Sequence, residues 1–155
     1  MFKTKNAHLL HKKAVTLVRS HLPGSIDMDS IYGYYKPYHI EWKNIKIIVK
    51  IAKPSKKASQ DRMKWFYTLK EKDHQATDYF ILLVVLENAL KAVYVLPKPL
   101  APKRTITITK LDGNMRYDYF KTDLQNLPSK ILELQSKLPK LIRIYREAKS
   151  LKGGF

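Results

Sequence analysis

The chain contains no cysteine, so disulfides and thiolate metal centres are excluded. It has only five glycines, and none falls into the spacing of a P-loop or a dinucleotide-binding turn. There is no G-x-S-x-G and no serine tied in sequence to a histidine, which leaves nucleophilic catalysis without support. The longest apolar run, residues 80–86, is far too short to cross a bilayer, and the first residues carry no apolar signal core. A cytoplasmic protein with no membrane partner is the expectation. Acids are scarce: thirteen Asp and Glu face thirty Lys and Arg, for a net charge of +17 over 155 residues. An excess of that size favours a polyanionic partner, nucleic acid first, over a merely lysine-rich solvated surface. An anionic membrane is the weaker option, since no helix joins a strongly basic face to a bulky apolar one.

What is present is organised around residues 38–52, YHIEWKNIKIIVKIA. Side chains alternate along a strand with period two. Ile40, Trp42, Ile45, Ile47, Val49 and Ile51 share one face, while His39, Glu41, Lys46, Ile48 and Lys50 share the other. Two strands joined at Lys43–Asn44 follow, with Trp42 paired to Ile45, Ile40 to Ile47 and Glu41 to Lys46. Lys50 then neighbours His39. One face builds core; the other gathers an acid, a histidine and two lysines, and the function is expected near it. The plain reading of Glu41 is a cross-strand pair with Lys46.

A helix is predicted over residues 6–21, capped by Asn6, with Ala7, Leu10, Ala14, Leu17, Val18 and His21 facing the core. His8, His11, Lys12 and Arg19 fall on its outer face. His8 and His11 have the spacing of metal ligands, but with no third ligand nearby in sequence they read as exposed. Residues 31–35 read as a short strand. Tyr32, Tyr34, Tyr35 and Tyr38 crowd there beside Lys36, and fit base stacking and strand propensity equally. After the hairpin, Lys53, Lys56 and Lys57 lie in a proline-broken loop. With Lys46, Lys50, Arg62 and Lys64 they make the candidate phosphate-contacting set.

Residues 63–69 alternate as a strand, 71–77 read as a polar connection, and 78–86 (DYFILLVVL) as a central strand buried on both faces. Asn88 turns the chain into a strand over 92–96. TITIT (105–109) reads as an edge strand, 112–114 as a turn and 116–121 as one more short strand. The C-terminal section is helical. Leu127, Ile131, Leu134, Leu138, Leu141, Tyr145 and Ala148 form a heptad seam suited to the sheet or to a second copy of the chain in a homodimer. Pro139 should kink or split that helix. The division expected is an α/β domain over 1–122 and a helical extension over 123–155.

The order of elements resembles the PD-(D/E)xK nuclease-like superfamily, in particular its small Holliday-resolvase-like and intron-endonuclease-like members. The resemblance covers residues 6–100 and rests on IIVKIAK (47–53), DYFILLVVL (78–86) and AVYVLP (92–97). It implies a restriction-endonuclease-like α/β fold: a central mixed sheet, a leading helix and a C-terminal helical extension. It also implies an acid on the first hairpin strand, a second acid two residues before a lysine on the next, and often a glutamate from the leading helix. Together these would hold Mg²⁺ and activate water. Carried onto this chain, the lysine is Lys50. The second acid position holds Ile48, the first holds His39, and the helical glutamate falls near His11 or Lys12.

The lysine is therefore kept and the carboxylates are not. His39, Ile48 and Lys50 offer Mg²⁺ no oxygen. Two rearrangements would restore an acid: Glu41, on the same face, acting with Lys50 and with Asp29 as a second metal ligand; or Glu41-Trp42-Lys43 as the E-x-K element, with Asp27 or Asp29 as first acid. The favoured expectation is a nucleic-acid-binding protein with a degenerate site, no cofactor, and DNA ahead of RNA as partner. The alternatives are an active Mg²⁺- or Mn²⁺-dependent endonuclease and an assembly protein dimerising through its C-terminal seam.

Overall fold

The computed structural model describes residues 1–32, 37–55, 63–109 and 116–151, the side chains of Tyr32 and Leu151 excepted. The readings given above for Tyr34, Tyr35, Lys36, Lys56, Lys57, Arg62 and the 112–114 turn lie outside these segments.

Helix α1 spans Ala7–Ser20. The Asn6 side chain accepts from the His8 and Leu9 amides at 2.9 and 3.1 Å, supplying partners to two otherwise orphaned donors. Its buried stripe is Ala14, Val15 and Val18, so Ala7, expected inward, stands exposed. Strand β1 (Ile26–Asp27) runs directly into helix α2 (Met28–Tyr32). A strand was expected to begin at Ile31, but Asp27 Oδ1 accepts from the Asp29 and Ser30 amides at 3.0 and 3.3 Å. That cap nucleates a helical turn that takes in Ile31 and Tyr32.

Strands β2 (Ile40–Trp42) and β3 (Ile45–Ala52) form the expected hairpin, with Ile40 opposite Ile47, Glu41 opposite Lys46 and Trp42 opposite Ile45. Lys43 and Asn44 have φ of 50° and 64°. That is the type I′ geometry whose twist matches the flanking strands. Trp42 Nε1 donates to the Pro23 carbonyl at 3.0 Å, tying the hairpin to the end of α1.

Strand β4 (Trp65–Thr68) follows, then helix α3 (Glu71–Ala76) where a polar connection was read. The Lys70 amide donates to Asp73 Oδ2 at 3.1 Å, which starts that helix. Strands β5 (Tyr79–Leu86) and β6 (Ala89–Pro97) make the second hairpin, turning through Glu87 and Asn88, both at positive φ. Strand β7 is Thr105–Ile108. A short 3-10 turn over Asp118–Phe120 occupies most of the region read as a strand, leaving only β8 (Lys121–Thr122).

The main sheet has the order β1-β2-β3-β5-β6-β8, with β3 and β5 parallel and the other pairs antiparallel. β5 sits between β3 and β6 with every residue but Leu86 buried. Its start is fixed by Thr77 and Asp78: Thr77 Oγ1 donates to the Lys46 carbonyl, and Asp78 Oδ2 accepts from the Lys46 amide, each at 2.9 Å. A second, two-stranded sheet pairs β4 with β7.

Helix α4 (Leu127–Leu151) runs unbroken through Pro139, where a kink or split was expected. Pro139 and Gln135 are both exposed, so water can serve the carbonyl that lost its partner. Leu127, Ile131 and Leu134 are fully buried and pack with β6 and the core of their own chain. Those three positions of the seam are therefore closed to a partner, whereas Leu138 and Leu141 are half-buried and Tyr145 is exposed.

Burial pushes the Tyr79 phenol up to about 12, helped by the Asp78 carboxylate, and raises Tyr67 further. Folding thus holds protons that an unfolded tyrosine releases near its ordinary value of 10.0. Stability should be full below about pH 10 and should fall above it. The slope should be about 1.4 kcal/mol per pH unit for each of the two phenols while they stay protonated. Urea unfolding at a series of pH values between 9 and 12 measures this slope, and Tyr79→Phe should remove its own share.

Candidate nucleic-acid interface

The polar face of the central hairpin meets the middle of α1. His11, expected on the outer helix face, is instead about one-quarter exposed, and its Nε2–H donates to Asp29 Oδ2 at 3.2 Å. Its ring packs edge-on against His39 with centroids 4.3 Å apart. His39 Nδ1 accepts from the Val49 amide at 2.9 Å, which fixes the Nε2–H tautomer. His11 therefore pairs with His39 and Asp29, which are distant in sequence, and not with its helical neighbour His8, which is exposed.

Lys50 stands on β3, on the hairpin face that also carries His39 and Ile48. Lys50 lies diagonal to His39 on the same face, about 7 Å away by ordinary cross-strand spacing. Its Nζ is 3.3 Å from Asp73 Oδ2, the oxygen that also caps α3. Ile48, between them, is buried at 1% exposure. Two carboxylates thus reach this region, Asp29 from α2, an acid named above for a rearranged site, and Asp73 from α3, which was not; each is engaged by a basic side chain. Asp73 lies in a stretch whose composition reads as a polar connection; the acids Glu71 and Asp73 just after Lys70 are the first-turn signal that reveals the helix.

Glu41 and Lys50 are not brought together. Glu41 lies opposite Lys46, four strand positions from Lys50, about 13 Å at the usual rise. Its Oε1 accepts from the Tyr38 hydroxyl at 3.1 Å. Lys43 sits in the type I′ turn with its ammonium 5.0 Å from the Trp42 ring centroid, away from Asp27, which caps α2. Among the described residues no three His, Asp or Glu are grouped to hold a metal ion. Imidazole, sec-butyl and ammonium groups at His39, Ile48 and Lys50 do not fit Mg²⁺, which takes oxygen ligands.

Of the proposed phosphate contacts, Lys46 and Lys64 are exposed and Lys50 and Lys53 half-buried. Lys46 Nζ stands 5.5 Å from the Tyr38 ring centroid, and Lys53 Nζ donates to the Thr4 carbonyl at 3.1 Å. The Ser55 amide donates to the Lys64 carbonyl at 2.9 Å, which draws the Lys53 segment and the start of β4 together.

The α/β fold, with its mixed six-stranded sheet, leading helix and C-terminal helix, is similar overall to that of a solved nuclease. That neighbour is the bacterial homing endonuclease I-Ssp6803I, matched at a TM-score of 0.56 and 13% identity over 88% of this chain and 97% of the endonuclease. At that identity the likeness is one of fold. No family model and no curated protein matches the sequence.

Proposed function

We propose that this chain is a nucleic-acid-binding protein that keeps a PD-(D/E)xK-type nuclease scaffold with a degenerate, inactive site. The observation that carries the reading is the state of the motif face. Ile48 is buried hydrocarbon, His39 has one ring nitrogen engaged by the β3 backbone, and Lys50 is paired with Asp73. A phosphodiester entering here meets positive charge but no oxygen cage for a catalytic cation. Lys46, Lys50, Lys53 and Lys64, joined by Lys56, Lys57 and Arg62 of the neighbouring segment, supply sequence-independent phosphate contacts. The DNA-cleaving role in the name of the structural neighbour favours DNA over RNA.

The test uses labelled duplex, branched and single-stranded DNA, and RNA, each with Mg²⁺, Mn²⁺ or EDTA. Binding without product, indifferent to metal, is the expected result. Metal-dependent cleavage that disappears in Glu41→Ala would overturn it and put the chemistry at Glu41.

A further inference from the structure

We propose that the β4–β7 ribbon reads duplex DNA, with its outer face seated in the major groove. The inference rests on the nucleic-acid reading above and adds the surface and the form of nucleic acid. The two strands form a sheet of their own, in which Trp65 pairs with Ile108, Phe66 with Thr107, Tyr67 with Ile106 and Thr68 with Thr105. Trp65, Tyr67, Ile106 and Ile108 turn inward and are at most 2% exposed. Phe66 and Thr68 turn outward, bracketed by Lys64 and Lys70 in one row of exposed side chains. Phe66 is half exposed, and Thr105 and Thr107 lie opposite that row.

This face has the composition a base-reading surface needs. Threonine offers a donor, an acceptor and a methyl group; phenylalanine offers apolar contact of the kind thymine methyls accept. No acid stands in either outer row among the described residues. Of the acids nearest in sequence, Asp61 and Asp112 lie outside the described residues, while Glu71 and Asp73 belong to α3, and Asp73 is directed to Lys50 and the Lys70 amide. Two strands about 4.8 Å apart, with their side chains, match a major groove about 12 Å wide. From Lys64 to Lys70 the row runs about 20 Å, so the lysines reach the flanking phosphates while the threonines face the bases.

The ribbon is also held rigidly. Trp65 Nε1 donates to the Val85 carbonyl at 2.9 Å and the Tyr67 hydroxyl to the Leu83 carbonyl at 2.8 Å. Duplex RNA is the wrong shape for such an element, because its major groove is deep and narrow.

The experiment measures binding of the full chain to duplex DNA and duplex RNA of one sequence, and protection of guanine N7, a major-groove atom, from dimethyl sulfate. Wild type is compared with Phe66→Ala/Thr68→Val/Thr107→Val and with Lys64→Ala/Lys70→Ala, circular dichroism confirming the fold. The expected results are N7 protection, DNA preferred over RNA by about tenfold, a loss of about tenfold in the first variant, and a salt slope lower by about two in the second. Unprotected N7 atoms, equal affinity for duplex RNA, or ribbon variants that bind as wild type would overturn the inference and leave the binding function standing. If a variant does not fold, the wild-type protection pattern and DNA-to-RNA ratio decide. No binding by wild type to any nucleic acid would overturn both.

Discussion

Trp65→Ala should lower the unfolding free energy by about 4 kcal/mol, the range seen when a fully buried aromatic is truncated. The indole is 2% exposed and lies against the core, not on the rim of the ribbon. It also donates to the Val85 carbonyl at 2.9 Å, one residue past the last β3 partner of β5, Val84. Truncation would leave both a cavity and a buried acceptor without that donor. For a domain of this size the midpoint of thermal unfolding should fall by about 10 °C. Trp65→Phe separates the two causes: most of the volume stays and the N–H goes, so the loss should shrink to about 1–2 kcal/mol. Denaturant unfolding of the two variants measures both. A loss under about 1 kcal/mol for Trp65→Ala would mean that the β4–β7 sheet does not share the cooperative core of the main sheet.

Much of this architecture is legible from periodicity. The 38–52 hairpin is set by alternation, broken only at Ile48, and by a two-residue turn whose length fixes register. The all-apolar 79–86 strand can only be central. What the sequence hides are the elements made by caps instead of patterns. Helix α2 exists because Asp27 accepts two amides, and α3 because Asp73 accepts one at Lys70; both are too short to show a period. The site suffers from the same gap. Strand parity puts Lys50 and Ile48 on one face, and the resemblance singles them out there, but Asp73 reaches Lys50 only through α3. His11 looks outward on a helical wheel because the groups that enclose it, His39 and Asp29, come from distant chain segments. The ribbon hides for a different reason. Its strands are separated by β5 and β6, so Phe66 and Thr107 become neighbours only once a non-local pairing forms.

In the proposed complex the motif face and the ribbon would act on a nucleic acid in different ways, and salt separates them. Contacts from Lys50 and Lys53 would meet phosphates whatever the sequence, whereas contacts from Phe66 and the threonines would depend on the bases. If about six of the basic residues named here each displace a condensed counterion, the slope of log affinity against log salt should be close to −5 on duplex DNA. Raising the salt from roughly 50 to roughly 200 mM should then weaken binding by about a thousandfold. Lys50→Ala should reduce the slope by less than one, because Asp73 already shares that ammonium. Lys64→Ala should reduce it by about one, because that side chain is exposed on the outer row. Titrations by fluorescence anisotropy at four or more salt concentrations give all three slopes. A flat dependence would mean that the net charge of +17 is a solvated surface and not a phosphate-binding one.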